Sequence, residues 1–314
     1  GKKMELQKPK IALYVKRPFG EKLNAAFDFI KENWKPLLKL TTYLILPLCL
    51  IQALSLNGLM GGAMTMTTLA NSAVANSDLG MLAGFMTYYA LYMLLYLIGT
   101  AMLSSLVYTL IRTYNEREGG LQGVTLRELK PLLLRNIGRM LLLMVVSTVL
   151  VVLAMIPIGV LMYLSMYTLV LTIPLLIAFS VPLALFAPIY LFEDITIMAA
   201  LGKTFRLGFA TWGGIFLISI IMGIIGSVLQ GVTMVPWYVA TVVKYFFAMS
   251  DTGSTATVSV GYSFLLYLLG IIQAFGAYLS MIFALIGLAY QYGHASEVVD
   301  SVTVENDIDN FDKL

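Results

Sequence analysis

Charge is scarce in this chain. Only 12% of its 314 residues are Asp, Glu, Lys or Arg, while 59% are hydrophobic. A soluble domain carries about a quarter charged residues, so half that share over this length excludes a wholly water-facing surface. Cysteine is nearly absent too. Cys49 alone, inside an apolar run, rules out an internal disulfide and a thiolate metal cluster and reads as a small core hydrophobe. Histidine occurs once, as His294, just past the last apolar run. His294 and Glu297 are three apart and could share a helical face, but a metal site needs more ligands. The runs lack the period-2 alternation of a membrane barrel strand. No short apolar segment with an A-x-A site precedes the first run, so no cleaved secretory signal is expected.

What the chain has is length in its apolar runs. Backbone groups in lipid must be satisfied within their own segment, so runs of about 18 or more apolar residues mean helices. The expected fold is all-α, a polytopic membrane protein with six spans near residues 37–56, 81–112, 140–162, 168–192, 213–235 and 262–290. Pro174, Pro182 and Pro188 predict kinks in the fourth. Between spans lie amphipathic segments suited to the membrane surface. The first, 19–35, places Leu23, Phe27, Ile30 and Trp34 on one face, with Lys22, Asp28, Lys31, Glu32 and Lys35 around them. The second, near 125–138, opens with a T-x-x-E capping box at Thr125 and Glu128, followed by Leu126, Leu129, Leu133 and Ile137. The third, near 195–210, spaces Ile197, Leu201 and Phe205 four apart, with Asp194 as the expected N-cap.

The remaining segments read as loops and tails. Residues 1–18 form a basic, flexible N-terminal segment, 19–294 the six-helix domain, and 295–314 an acidic disordered tail. Residues 57–80 and 236–261 read as loops. With six spans, 19 of the 20 Lys/Arg fall on one side and only Lys244 on the other. The positive-inside rule then puts both termini in the cytoplasm.

The first and third amphipathic segments share Phe-x6-Trp, as Phe27/Trp34 and Phe205/Trp212, with apolar pairs Leu37-Leu38 and Ile215-Phe216 three residues on. A three-fold repeat of surface helix plus helix pair is one explanation; the general preference of interfacial helices for aromatics is the other. The opening Phe19-Gly20-Glu21-Lys22-Leu23-Asn24-Ala25-Ala26-Phe27, then Asn33-Trp34-Lys35-Pro36-Leu37-Leu38, resembles the start of the bacterial membrane domain that accompanies some glycerophosphodiester phosphodiesterases. That domain also occurs alone in uncharacterised bacterial inner-membrane proteins. Residues 193–214 resemble its later segment. The resemblance implies a six-helix module in the bacterial cytoplasmic membrane. It does not imply phosphodiesterase activity, because the catalytic barrel of those enzymes is a separate domain.

Signs of chemistry are few. Coupled transport and intramembrane catalysis need buried charges, and none lies in the interior of a span; Arg112, Glu193 and Asp194 sit at ends. Gly119-Gly120 and Gly213-Gly214 lack the strand and G-x-x-x-x-G-K context of a phosphate loop. The small residues Ser219, Gly223, Ser227 and Gly231 are each four apart, and Gly276, Ser280 and Ala284 repeat the spacing beside Gly270 and Ala274. Such ladders suit a packing seam or a partner's helix. Gln52, Gln230 and Gln273 are the polar mid-span residues, expected to bond neighbouring helices. Lys31, Lys35, Lys130, Arg135, Lys203 and Arg206 are candidate contacts for anionic membrane lipids. The expectation is a non-enzymatic accessory or scaffold that holds a partner membrane protein or lipid, with no cofactor and no nucleic acid. The alternative is a transporter or flippase-like carrier of a lipid or apolar solute.

Overall fold

In the computed structural model, which describes residues 9–71, 79–250 and 260–311, the described chain is helical with no strand. The helices are α1 (Phe19–Asn71), α2 (Leu79–Glu116), α3 (Leu126–Leu164), α4 (Leu169–Ser180), α5 (Phe186–Phe192), α6 (Ile197–Ala210), α7 (Trp212–Ser250), α8 (Val260–Asp300) and α9 (Val302–Phe311). Among the described residues, six stretches are long and apolar enough to cross a membrane: Phe19–Ala63, Gly80–Glu116, Leu126–Leu164, Met166–Phe192, Trp212–Phe247 and Val260–Asp300. The chain is a multi-pass α-helical membrane protein. At about 1.5 Å per residue a helix the length of α3 or α7 reaches roughly 58 Å, about twice a bilayer's hydrocarbon thickness.

Several sequence expectations are corrected by that length. Residues 57–71 continue α1 and 236–250 continue α7, through Pro236 and Trp237. Of the two expected loops, 72–78 and 251–259 lie outside the described residues. Gly costs an established helix only about 1 kcal/mol, and extension is cheaper than nucleation. Residues 125–138 are not a separate surface helix either. Thr125 does cap, its hydroxyl accepting from the Glu128 N–H at 3.4 Å, but the helix then runs on unbroken into the third span. The fourth span is cut rather than bent: α4 stops at Ser180, a tight turn covers Pro182–Leu185, and α5 follows. The cap of α6 is Thr196, which accepts from the Ala199 N–H at 3.3 Å. Asp194, the expected cap, is bonded by Arg135 instead.

Neither terminal segment is free in its described part. Residues 9–18 form a strap on the helices. The Ile11 N–H donates to the Tyr114 hydroxyl at 3.1 Å, the Tyr14 and Tyr292 hydroxyls are 3.2 Å apart, and the Arg17 N–H donates to His294 Nδ1 at 3.0 Å. Leu13 is buried, and its carbonyl lies where a side chain at Gly293 would stand. At the other end α8 runs on to Asp300 with Ala295, Ser296 and Glu297 buried, and α9 follows. The Glu297 carboxylate accepts from the N–H and hydroxyl of Thr303 at 2.8 and 2.9 Å. The acidic composition suggests disorder, but burial of Ala295, Ser296 and Glu297 and the Glu297–Thr303 bonds hold this segment in place.

The paired Phe-x6-Trp motifs have a backbone counterpart. The residue before each tryptophan leaves helical geometry, Asn33 with φ −116° and ψ 18°, Thr211 with φ −124° and ψ 30°. The buried residues match in register: Lys22, Ala26, Phe29, Leu37 and Leu40 against Ala200, Thr204, Leu207, Ile215 and Ile218. In α3, Leu129, Asn136, Met140 and Leu143 keep the register of Ala26, Asn33, Leu37 and Leu40 without the break.

The chain divides into two compact units. One comprises Gly1–Leu38, Ser104–Met222 and Phe283–Leu314; the other Lys39–Leu103 and Gly223–Ile282. Among the described residues, Lys39 and Lys244 are the only Lys or Arg outside the first unit.

Candidate functional site

In the second unit the polar groups close on one another. Gln52 is buried, and its Oε1 accepts from the Tyr278 hydroxyl at 2.6 Å. Gly99 leaves room for the phenolic end of Tyr278 against α2, where any side chain would collide. Trp237 Nε1 donates to Asn57 Oδ1 at 2.9 Å, and Asn57 Nδ2 reaches the Leu266 carbonyl at 3.4 Å. Gln52 therefore bonds a neighbouring helix as expected. Gln273 is buried, while Gln230 is exposed.

A small-residue contact joins α7 and α8: it uses Gly276 and Ser280 of the expected α8 row, but a different row of α7. A side chain at Gly276 would collide with Thr233, and a Cβ at Gly226 would stand 2.6 Å from the Ser280 carbonyl oxygen. Ser280 is buried beside it, whereas Ala284 is only half-buried. The predicted α7 row misses the contact. Gly223 and Gly231 have open space where a Cβ would stand, Ser227 is exposed, and Ser219 is half-buried. Gly226 is three residues from Gly223 and therefore some 60° away around the helix. The four-residue spacing shows a ladder without showing which of two neighbouring rows meets the other helix.

The first unit carries most of the charged groups, and several of them gather at the Glu193-Asp194 corner. Arg139 holds that corner through its backbone, donating to the carbonyls of Tyr190 at 3.0 Å, Glu193 at 3.1 Å and Ile195 at 2.6 Å. Its guanidinium sits 3.8 Å from the centre of the Tyr190 ring. Glu193 Oε1 accepts from Lys203 Nζ and from the Tyr292 hydroxyl, each at 2.6 Å. Asp300 closes the cluster, 3.5 Å from Lys203 and in a two-pronged pair with Arg206 at 2.5 and 3.1 Å. Sequence reading placed Glu193 at a helix end but could not supply its partners, which lie 10 to 99 residues away.

Three of the six candidate lipid contacts are thereby committed internally, Arg135 to Asp194, Lys203 to Glu193 and Arg206 to Asp300. Lys203 is largely covered by its pairs, whereas Arg206 keeps an exposed side chain beside Asp300. Lys31, Lys35 and Lys130 remain exposed, Lys35 lying 5.7 Å from the Trp34 ring centre. His294 and Glu297 do not act together. His294 accepts from the strap, and Glu297 holds the start of α9.

The third span is the least buried of the six apolar crossings found among the described residues. Met140 and Leu143 are the last buried residues of α3, and Thr172 is the one buried residue of α4. Residues 151–157, two full turns of α3, are all exposed. Tyr163 and Tyr167, at the turn capped by Ser165, are 91% and 88% exposed.

No protein-family model matches the chain, and neither does a curated protein or a solved structure.

Proposed function

We propose that the protein is a non-enzymatic accessory or scaffold of the bacterial cytoplasmic membrane, with both termini in the cytoplasm, that holds a partner membrane protein or lipid. The observation that carries the proposal is the open circumference of α3 over residues 151–157. A helix buried on no face within its own unit offers every face to lipid or to another helix. The polar groups support the same reading. Gln52, Asn57, Glu193 and Arg139 are consumed in bonds that hold helices and corners in place. The broken fourth span favours a second reading, because discontinuous helices line substrate sites in many carriers. Here the break at Pro182 packs against Gly208 of α6.

The test trims the open face without adding charge. Wild type and a Val152→Ala/Ile156→Ala variant are purified in native lipid discs and their contents identified by mass spectrometry. A protein or lipid present at fixed stoichiometry in wild type and lost from the equally stable variant is the expected result. A wild type with no such component, whose proteoliposomes move lipid or an apolar solute across the bilayer, would instead establish the carrier.

A further inference from the structure

Lys22 is the one charged side chain of the amphipathic segment that turns inward. It is 4% exposed, against the sequence expectation that it lies on the polar face. Its ammonium makes one hydrogen bond, to Oε1 of the fully buried Gln291 at 2.8 Å. No ion pair with a carboxylate involves it among the described residues. The other end of the same amide, Gln291 Nε2, is buried without a hydrogen-bond partner among the described residues. A buried ammonium without a counter-charge is costly, as is a buried amide donor left unbonded.

The two groups converge on bare backbone. A Cβ on Gly214, in the opening turn of α7, would stand 3.0 Å from Lys22 Nζ and 2.9 Å from Gln291 Nε2. Glycine at 214 lets them close on the main chain, and the space about its neighbour Gly213 is open. Lys22 lies in the opening turn of α1, where the helix dipole also favours negative charge. Lys16 and Arg17 add positive charge on the same side, since with Lys22 they act on His294.

An ammonium has three N–H donors and a primary amide two. With one used, four remain on two side chains, which suits a tetrahedral oxyanion with several acceptors better than a single-atom ion. We propose that Lys22 Nζ and Gln291 Nε2 bind a phosphate group, free or in a lipid headgroup, where the opening turns of α1 and α7 meet α8. The site goes beyond the scaffold reading and does not depend on it, because it needs neither a partner protein nor the open face of α3.

The test is thermal unfolding of the full chain in detergent, titrated with inorganic phosphate at constant ionic strength in chloride, and separately with phosphatidylglycerol in mixed micelles. The expected result is a saturable rise in the unfolding midpoint of wild type and of the surface control Arg127→Gln. In Lys22→Gln the apparent affinity falls about tenfold or more, since a charge-assisted bond is lost. Gln291→Glu gives Lys22 an internal carboxylate. That variant should be more stable than wild type without phosphate and insensitive to phosphate. A response to inorganic phosphate identifies a free-phosphate site; a response to phosphatidylglycerol alone identifies a headgroup site. No saturable rise in wild type, an equal rise in Lys22→Gln, or an undiminished rise in Gln291→Glu overturns the proposal.

Discussion

Gly226 and Gly223 lie three residues apart on α7, but only Gly226 meets another backbone. Leucine at 226 would drive four carbons against the Ser280 carbonyl, 2.6 Å from where its Cβ must sit. Overpacking of this kind costs on the order of 1–3 kcal/mol. Gly226→Leu should therefore lower the unfolding midpoint in detergent, while Gly223→Leu should behave like the volume-conserving control Ile221→Leu. A loss at Gly223 equal to that at Gly226 would mean the ladder row is covered after all. The presence of small residues is legible in sequence, because lipid provides no hydrophobic drive between helices and close approach needs glycine and serine. Which row they face depends on the rotation of the helix. Apolar side chains on all sides leave no amphipathic signal to set that rotation.

The elements show where local signals compete with tertiary ones. A basic, proline-bearing segment before the first helix reads as loose, yet residues 9–18 are tied down at Tyr114, Tyr292 and His294. Those anchors lie about 100 to 280 residues away, so no local pattern could indicate them. His294 makes the strap sensitive to acid. At 41 residues α8 is about twice as long as a crossing needs, and His294 lies in its end beyond the apolar run 262–290, beside Arg17. Burial first, then the charges of Lys22, Arg17 and Lys16, holds its pKa down to about 4, against 6.5 for a free imidazole. Because the folded state resists the proton that the unfolded state takes up, stability declines as pH falls from about 6.5 towards 4. Protonation also removes the acceptor of the Arg17 N–H. Amide hydrogen exchange in residues 9–18, corrected for intrinsic rate, should accelerate over that interval and level off above it. In His294→Asn, which cannot titrate there, the dependence should be much flatter. An unchanged profile in the variant would place the acid sensitivity elsewhere. The Phe-x6-Trp motifs fared better in sequence, since the aromatics flag a junction. That the helix breaks at Asn33 and Thr211, one residue earlier, becomes visible only in the backbone.

At the scale of the whole molecule, Lys and Arg are segregated from the middles of the apolar crossings, lying at or near their ends among the described residues. Such segregation is what a bilayer demands, since a charge at mid-membrane costs several kcal/mol. It leads to a topology prediction. With Cys49 replaced, a single cysteine introduced at Ser254, next to the lone Lys244, should react with an impermeant thiol reagent in intact cells. One introduced at Arg127 should react only after lysis. The reverse pattern would invert the orientation.

The sequence by itself determined the class, six apolar crossings and an all-α fold, because backbone solvation in lipid leaves few alternatives. It also showed which residue types could pack closely and which could carry charge. Only the tertiary structure decided how those residues were used. Lys203 and Arg206 paired with carboxylates, Gly226 rather than Gly223 met the neighbouring helix, and Lys22 turned inward to Gln291. The physical reason is range. Helix formation and membrane partition are settled within about twenty residues, whereas the partners of a buried polar group are set by helix rotation and by contacts as distant as the 269 residues between Lys22 and Gln291.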